Sequence, residues 1–162
     1  MLSLSPGPAP LEQAEHLKKY ANMWRITDDF WDEWRLLKGM FERAEKWCVH
    51  AAPGHWPDAD MLPVGALRQC YDPNGWTNFT QAEQRTMMTL WCMMRSPLMM
   101  GGELTKNDDF TLKLLTNRDV LARAPIRCGR RRMKACGLRR AGTARGCMWR
   151  CSTCRKRRGR FA

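Results

Sequence analysis

The sequence predicts an α/β fold in which helices cross over a parallel sheet. Short runs of β-favouring residues alternate with stretches of helical periodicity, no solenoid-length repeat is present, and the composition is globular, 44% hydrophobic and 27% charged. The 162 residues suffice for one ordinary domain and fall short of the roughly 250 of a complete eight-stranded α/β barrel. No apolar run approaches the roughly 20 residues of a membrane span, so no membrane partner is expected. Met1 to Pro8 lacks the basic and apolar regions of a secretory signal, which leaves the cytoplasm as the default expectation.

The elements follow in order. Pro10 to Tyr20 sets Leu11, Ala14, Leu17 and Ala21 at helical spacing, with Pro10 suited to a first turn. Met23 to Thr27 reads as a short strand, and Phe30, Trp34, Leu37, Phe41 and Ala44 as the next helix. Pro53, Gly54, Pro57 and Pro63 break periodicity around His55 to Leu62, which makes that segment a loop or a strand end. Thr80 and Glu83 have capping-box spacing ahead of Met87, Met88, Leu90, Trp91 and Met94, and Ser96-Pro97 stops that helix. Leu98 to Met100 reads as a buried strand, Gly101-Gly102 as a turn, and Asn107 to Asp109 as the start of a helix holding Phe110, Leu114 and Leu115. In such a fold, chemistry collects at the strand ends.

Charge divides the chain. Residues 1–122 hold 13 Lys and Arg with all 16 Asp and Glu, whereas residues 123–162 hold 15 Lys and Arg, no acid and five of the eight cysteines. The first region is taken as a domain. Three readings of the second remain open. It is an out-of-frame stretch, a basic arm for nucleic acid through Arg130 to Arg132 and Arg155 to Arg158, or a zinc knuckle at Cys147, Cys151 and Cys154. In the domain, His16, His50 and His55 lack metal-ligand spacing, no cofactor is implied, and the methionines between Met87 and Met100 read as core filler.

Two constellations carry chemistry. Arg25 and Asp29 are four apart across a strand-to-loop junction, where they either converge on a small polar ligand or pair with each other while Asp28 or Asp29 caps the next helix. Burial or like-charge proximity among Asp28, Asp29 and Asp32 would raise the pKa of one of them, as a general acid requires. Asp58 and Asp60 flank Ala59 beside Trp56, forming either an Asx turn with a surface Trp or a cleft with two carboxylates and an indole. A sugar suits the second arrangement, its hydroxyls meeting carboxylates and its C–H face an aromatic ring.

Asn22-Met23-Trp24-Arg25-Ile26-Thr27-Asp28-Asp29-Phe30-Trp31-Asp32-Glu33-Trp34 resembles the acid/base segment of glycoside hydrolase family 27, the α-galactosidase and α-N-acetylgalactosaminidase family. Gly54 to Leu62, with Trp56-Pro57-Asp58-Ala59-Asp60-Met61-Leu62, is similar to its Trp-x-Asp-x-Asp-Met-Leu segment. Thr86 to Gly102 is similar to its last barrel strand and preceding helix, and Leu114 to Asn117 continues the pattern. The resemblance covers about residues 2 to 122 and implies a partial (β/α)8 TIM barrel, about strands 5 to 8, with a non-homologous basic Cys-rich tail.

By this resemblance, Asp29 is the acid/base carboxyl of a retaining enzyme acting on terminal α-linked galactose or a close relative. Arg25 would bind the 2-hydroxyl side of the sugar, Asp60 with Met61 would line the pocket, Asp58 would support that loop, and Trp56 would shape the wall. Ser3 and Ser5 fall near the position where family members distinguish a 2-hydroxyl from a 2-acetamido group. No segment matches the family's Lys-x-Asp nucleophile strand, so this polypeptide alone is expected to be inactive and a complementary half-barrel is an expected partner. The different-class alternative is a nucleic-acid- or zinc-binding protein acting through the tail; nucleic acid is not favoured.

Overall fold

A computed structural model describes residues 1–123. Arg123 closes the last helix, and residues 124–162 lie outside the described residues, as do the expectations of an out-of-frame tail, a nucleic-acid arm and a zinc knuckle placed there.

Three strands, β1 (Ser3–Leu4), β2 (Met23–Arg25) and β3 (Trp56–Asp58), form a parallel sheet in sequence order. The helix α1 (Ala14–Tyr20), entered through a 3-10 turn at Leu11–Gln13, links β1 to β2, and α2 (Trp34–Trp47) links β2 to β3. These are the crossovers that parallel pairing requires. Arg25 lies opposite Asp58 and Met23 opposite Trp56, so strand alternation places these four side chains on one face and Trp24 and Pro57 on the other. The Trp24 ring packs 6.0 Å from that of Trp47 on α2, which identifies the second face as the helix-covered one.

Leu37, Met40, Ala44 and Trp47 recur at three- and four-residue spacing along α2 and all are buried, the apolar stripe expected of a crossover helix. The helix begins at Trp34, however, and Phe30 lies outside it. Residues 29–32 alternate exposed, buried, exposed, buried, the pattern of an extended segment. Asp60 Oδ2 accepts the Phe30 N–H at 2.7 Å, holding the segment in place while the Phe30 ring packs 4.8 Å from Trp91. Helical periodicity misplaced Phe30 because its burial comes from a distant helix rather than its neighbours.

The capping box forms as expected at α3 (Gln81–Met94), with Thr80 Oγ1 accepting the Glu83 N–H and Glu83 reaching back to the Thr80 N–H. Arg95, in the left-handed conformation, ends the helix. Met87, Met88 and Met94 fill the core, but Met93 and Met99 are exposed. The segment expected as a buried strand, Leu98 to Met100, is reduced to one parallel bridge between Leu62 and Met100, with the Leu62 N–H donating to Met99 and the Gly101 N–H to Leu62. Its backbone has a partner on one side only among the described residues, and Leu98 and Met99 are exposed accordingly. Asp108 caps α4 (Asp109–Leu115) by accepting the Thr111 N–H, and α5 (Arg118–Arg123) follows. No helix among the described residues is long and apolar enough to cross a membrane.

Candidate active site

Arg25 ends β2 with a side chain only 9% exposed. Its Nη2 donates to Asp29 Oδ1 at 3.1 Å, and its Nη1 lies 3.0 Å from Asp60 Oδ1. One guanidinium therefore holds two carboxylates that the sequence had put in separate constellations. A planar cation with a forked set of donors can do this; an ammonium presents a single point. The site sits just past the C-terminal ends of β2 and β3, where α/β folds place their chemistry.

Asp60 is the junction. Its φ of 76° lies in the left-handed region, which Asp tolerates better than most residues, and Asp58 Oδ1 accepts the Asp60 N–H at 2.9 Å to hold it there. Its carbonyl accepts from Trp91 Nε1 of α3 at 3.0 Å, while its carboxylate reaches both Arg25 and the Phe30 N–H. The adjacent Ala59 N–H donates to Ser96 Oγ at 2.9 Å. Asp58 thus makes the Asx bond while Asp60 turns its carboxylate to Arg25.

Burial pushes the Asp58 carboxyl above the ordinary aspartate value, with the Asp60 charge adding to the effect and the Asp60 N–H and Arg25 opposing it. Asp29 is differently placed. Its side chain is 82% exposed, and the feature that orients it is Arg25 rather than burial. The expectation that Asp28 or Asp29 caps the next helix is not met, because the cap position of α2 is Glu33 and no side chain bonds there. Within the acidic run, burial falls on Asp32.

Trp56 is half-buried with the Arg95 guanidinium 5.9 Å over its ring. Met61 is half-buried against Gly101, where a Cβ would come within 2.6 Å of Met61 Sδ. Ser3 on β1 and the neighbouring Ser5 are exposed. A hollow of about 190 Å³ lined by Leu4, Pro6, Pro8, His16 and Trp24 meets this group only at Arg25. Lys106-Asn107-Asp108 has Lys-x-Asp spacing but is not a strand: Asp108 caps α4, and the Thr111 hydroxyl and N–H hold its carboxyl below the usual range.

Sequence reasoning missed the residues that set this geometry from a distance. Trp91 and Ser96 anchor the Asp60 loop, yet Trp91 reads as an ordinary apolar helix position. Arg68 pairs with Asp32 across 36 positions and adopts φ 60°, with no glycine to signal the left-handed turn.

At the strand ends, then, one guanidinium is shared by two carboxylates from separate loops. Residues 7–124 match the sequence family described as Alpha galactosidase A. The chain is 34% identical over 101 residues to Alpha-galactosidase 2 of Arabidopsis thaliana, covering 62% of this chain and 23% of that protein. It is 30% identical over 110 residues to Alpha-galactosidase A of Homo sapiens, covering 65% and 23%. Among solved structures, the β-L-arabinopyranosidase of glycoside hydrolase family 27 from Geobacillus stearothermophilus aligns with a TM-score of 0.71 and 58% identity over 76% of this chain and 29% of that one. The chain belongs to glycoside hydrolase family 27, and it spans about a quarter of the length of the curated relatives it matches.

Proposed function

We propose that this chain carries the acid/base side of a retaining glycosidase site for terminal α-linked galactose, or for a close relative such as N-acetylgalactosamine or β-L-arabinopyranose. The observation that carries the reading is the Arg25 fork, which fixes Asp29 and Asp60 in one place within a family whose named relatives act on such sugars. In the first step Asp29 gives its proton to the glycosidic oxygen as the bond from that oxygen to the anomeric carbon breaks. In the second it takes a proton from the water that attacks the same carbon. Asp60 accepts from sugar hydroxyls, Arg25 donates on the 2-hydroxyl side, and Met61 and Trp56 close the wall around the ring, with Asp58 supporting the loop.

Retention needs a second carboxyl about 5 to 5.5 Å from the first, placed to attack carbon. Asp60 and Asp58 are committed to Arg25, to Phe30 and to the Asx bond, which leaves neither free for that task. No segment matches the family's Lys-x-Asp nucleophile strand, and we read the nucleophile as supplied by a complementary half-barrel. The test is hydrolysis of an aryl α-galactoside alongside galactose binding. The chain alone is expected to bind galactose saturably, to lose that binding in Asp60→Ala, and to show no turnover. Turnover that disappears in Asp29→Asn would overturn the missing nucleophile, and absence of galactose binding would overturn the sugar site.

A further inference from the structure

Beside the Arg25 fork lies a second polar cluster. The Asp32 side chain is fully buried, and its oxygens accept from both terminal nitrogens of Arg68 and from the Asn78 N–H at 2.5 Å. Hydrogen bonding to the Asp32 carboxylate raises the Arg68 guanidinium above its usual pKa. That guanidinium lies 5.3 Å from the centre of the Trp31 ring, which is 40% exposed. One side of a partly exposed indole is thus covered by a pinned cation.

The position of this ring relative to Asp29 follows from the backbone. Because residues 29–32 alternate outward and inward, Asp29 and Trp31 project to the same, solvent side while Phe30 and Asp32 point into the core. The inward side of the site holds Arg25, Asp58 and Asp60, the groups read above as gripping the reacting sugar. An acid that protonates the bridging oxygen stands between the sugar that stays and the group that leaves. The departing group therefore lies on the outer side, with Trp31.

We infer that Trp31, held by the Asp32–Arg68 pair, is a leaving-group subsite: an indole whose uncovered face is a platform for the apolar C–H face of a second saccharide. The inference rests on the reading of Asp29 as acid and Asp60 as glycon contact, and it adds a preference for disaccharides over the free monosaccharide. The Arg68 turn is built for the purpose of holding a fixed orientation, its carbonyl accepting the N–H groups of Tyr71 and Asp72 at 2.8 Å each. Burying a saccharide's C–H face on the uncovered indole is expected to bring a roughly two- to tenfold gain in affinity.

The experiment uses the full chain labelled with 5-fluorotryptophan, with the Trp31 and Trp56 fluorine resonances assigned through Trp31→Phe and Trp56→Phe. It is titrated first with galactose and then with melibiose, galactose α-linked to glucose. The expected result is that Trp56 responds to both sugars, Trp31 responds to melibiose alone, and melibiose binds about two- to tenfold more tightly. Trp31→Ala is expected to equalise the two affinities with galactose binding unchanged, and Trp31→Tyr to restore most of the difference. Arg68→Lys, which cannot fork onto Asp32, is expected to weaken melibiose alone. A silent Trp31 with a responsive Trp56 overturns the subsite and leaves the glycon reading standing. A response of Trp31 to melibiose with Trp56 silent to both sugars supports the platform and overturns the glycon assignment, and silence of both overturns both.

Discussion

Asp60, two residues beyond β3, lies 3.0 Å from Arg25 at the end of the neighbouring strand, and both side chains are largely shielded from water. Removing one partner of such a pair strands the other in a poorly hydrated place. Arg25→Ala is expected to lower unfolding stability by about 3 kcal/mol in urea titration and to abolish galactose binding. Arg25→Lys keeps the charge but cannot engage two carboxylates together, so it is expected to recover part of the stability and none of the binding.

Asp58 sets a pH dependence of the opposite sign to that of an ordinary ion-paired carboxylate. Its pKa in the folded chain is raised from 3.8, mainly by burial, so the folded state holds its proton more tightly than the unfolded state. Below 3.8 both states are protonated and no difference arises. As pH rises above that value the contribution of Asp58 to stability falls, levelling off once the folded carboxyl has ionised. Asp58→Asn keeps an oxygen acceptor for the Asp60 N–H and removes the titration. The urea midpoint of the variant relative to the parent is expected to climb over this range, and a difference independent of pH would contradict the assignment.

Gly101 and Gly102 differ in what a methyl group would meet. At Gly102 a Cβ would come within 2.1 Å of the Val64 carbonyl oxygen, which is backbone and has little room to move. At Gly101 the first obstacle is the flexible end of Met61. Gly102→Ala is expected to destabilise by about 2 kcal/mol or more. Gly101→Ala is expected to cost less stability and to weaken galactose binding by displacing Met61. Thermal unfolding and a galactose titration of both variants read the contrast.

The capping box of α3 makes a further, independent test of stability. Thr80→Ala removes the acceptor for the Glu83 N–H and is expected to cost about 1 kcal/mol in urea titration. Because Thr80 is exposed and neither it nor Glu83 belongs to the Arg25 group, galactose affinity is expected to stay unchanged.

Local signals in the sequence located much of this fold. Alternating strand-like and helical runs anticipated the parallel crossovers, and Thr80-x-x-Glu83 marked the start of α3, because periodicity and capping depend on residues a few positions apart. The weak points were long-range. Helical periodicity places Phe30 in a helix since its true neighbours, Phe79 and Trp91, are tens of residues away, and Leu98 to Met100 reads as buried from hydrophobicity alone although, among the described residues, it pairs on one side only. Arg25, Asp29, Asp58 and Asp60 were legible as two separate groups. That one guanidinium joins Asp29 to Asp60 depends on strand register, which no spacing encodes.

The clamp on the Trp31 indole comes from a turn 36 positions downstream of Asp32 and lies on a different backbone segment from Asp29. Insertions or replacements between residues 68 and 76 would tilt or uncover the ring while leaving Arg25, Asp29 and Asp60 where they are. On the function proposed above, a change in that turn is expected to alter preference for the second saccharide without touching the Arg25, Asp29 and Asp60 group.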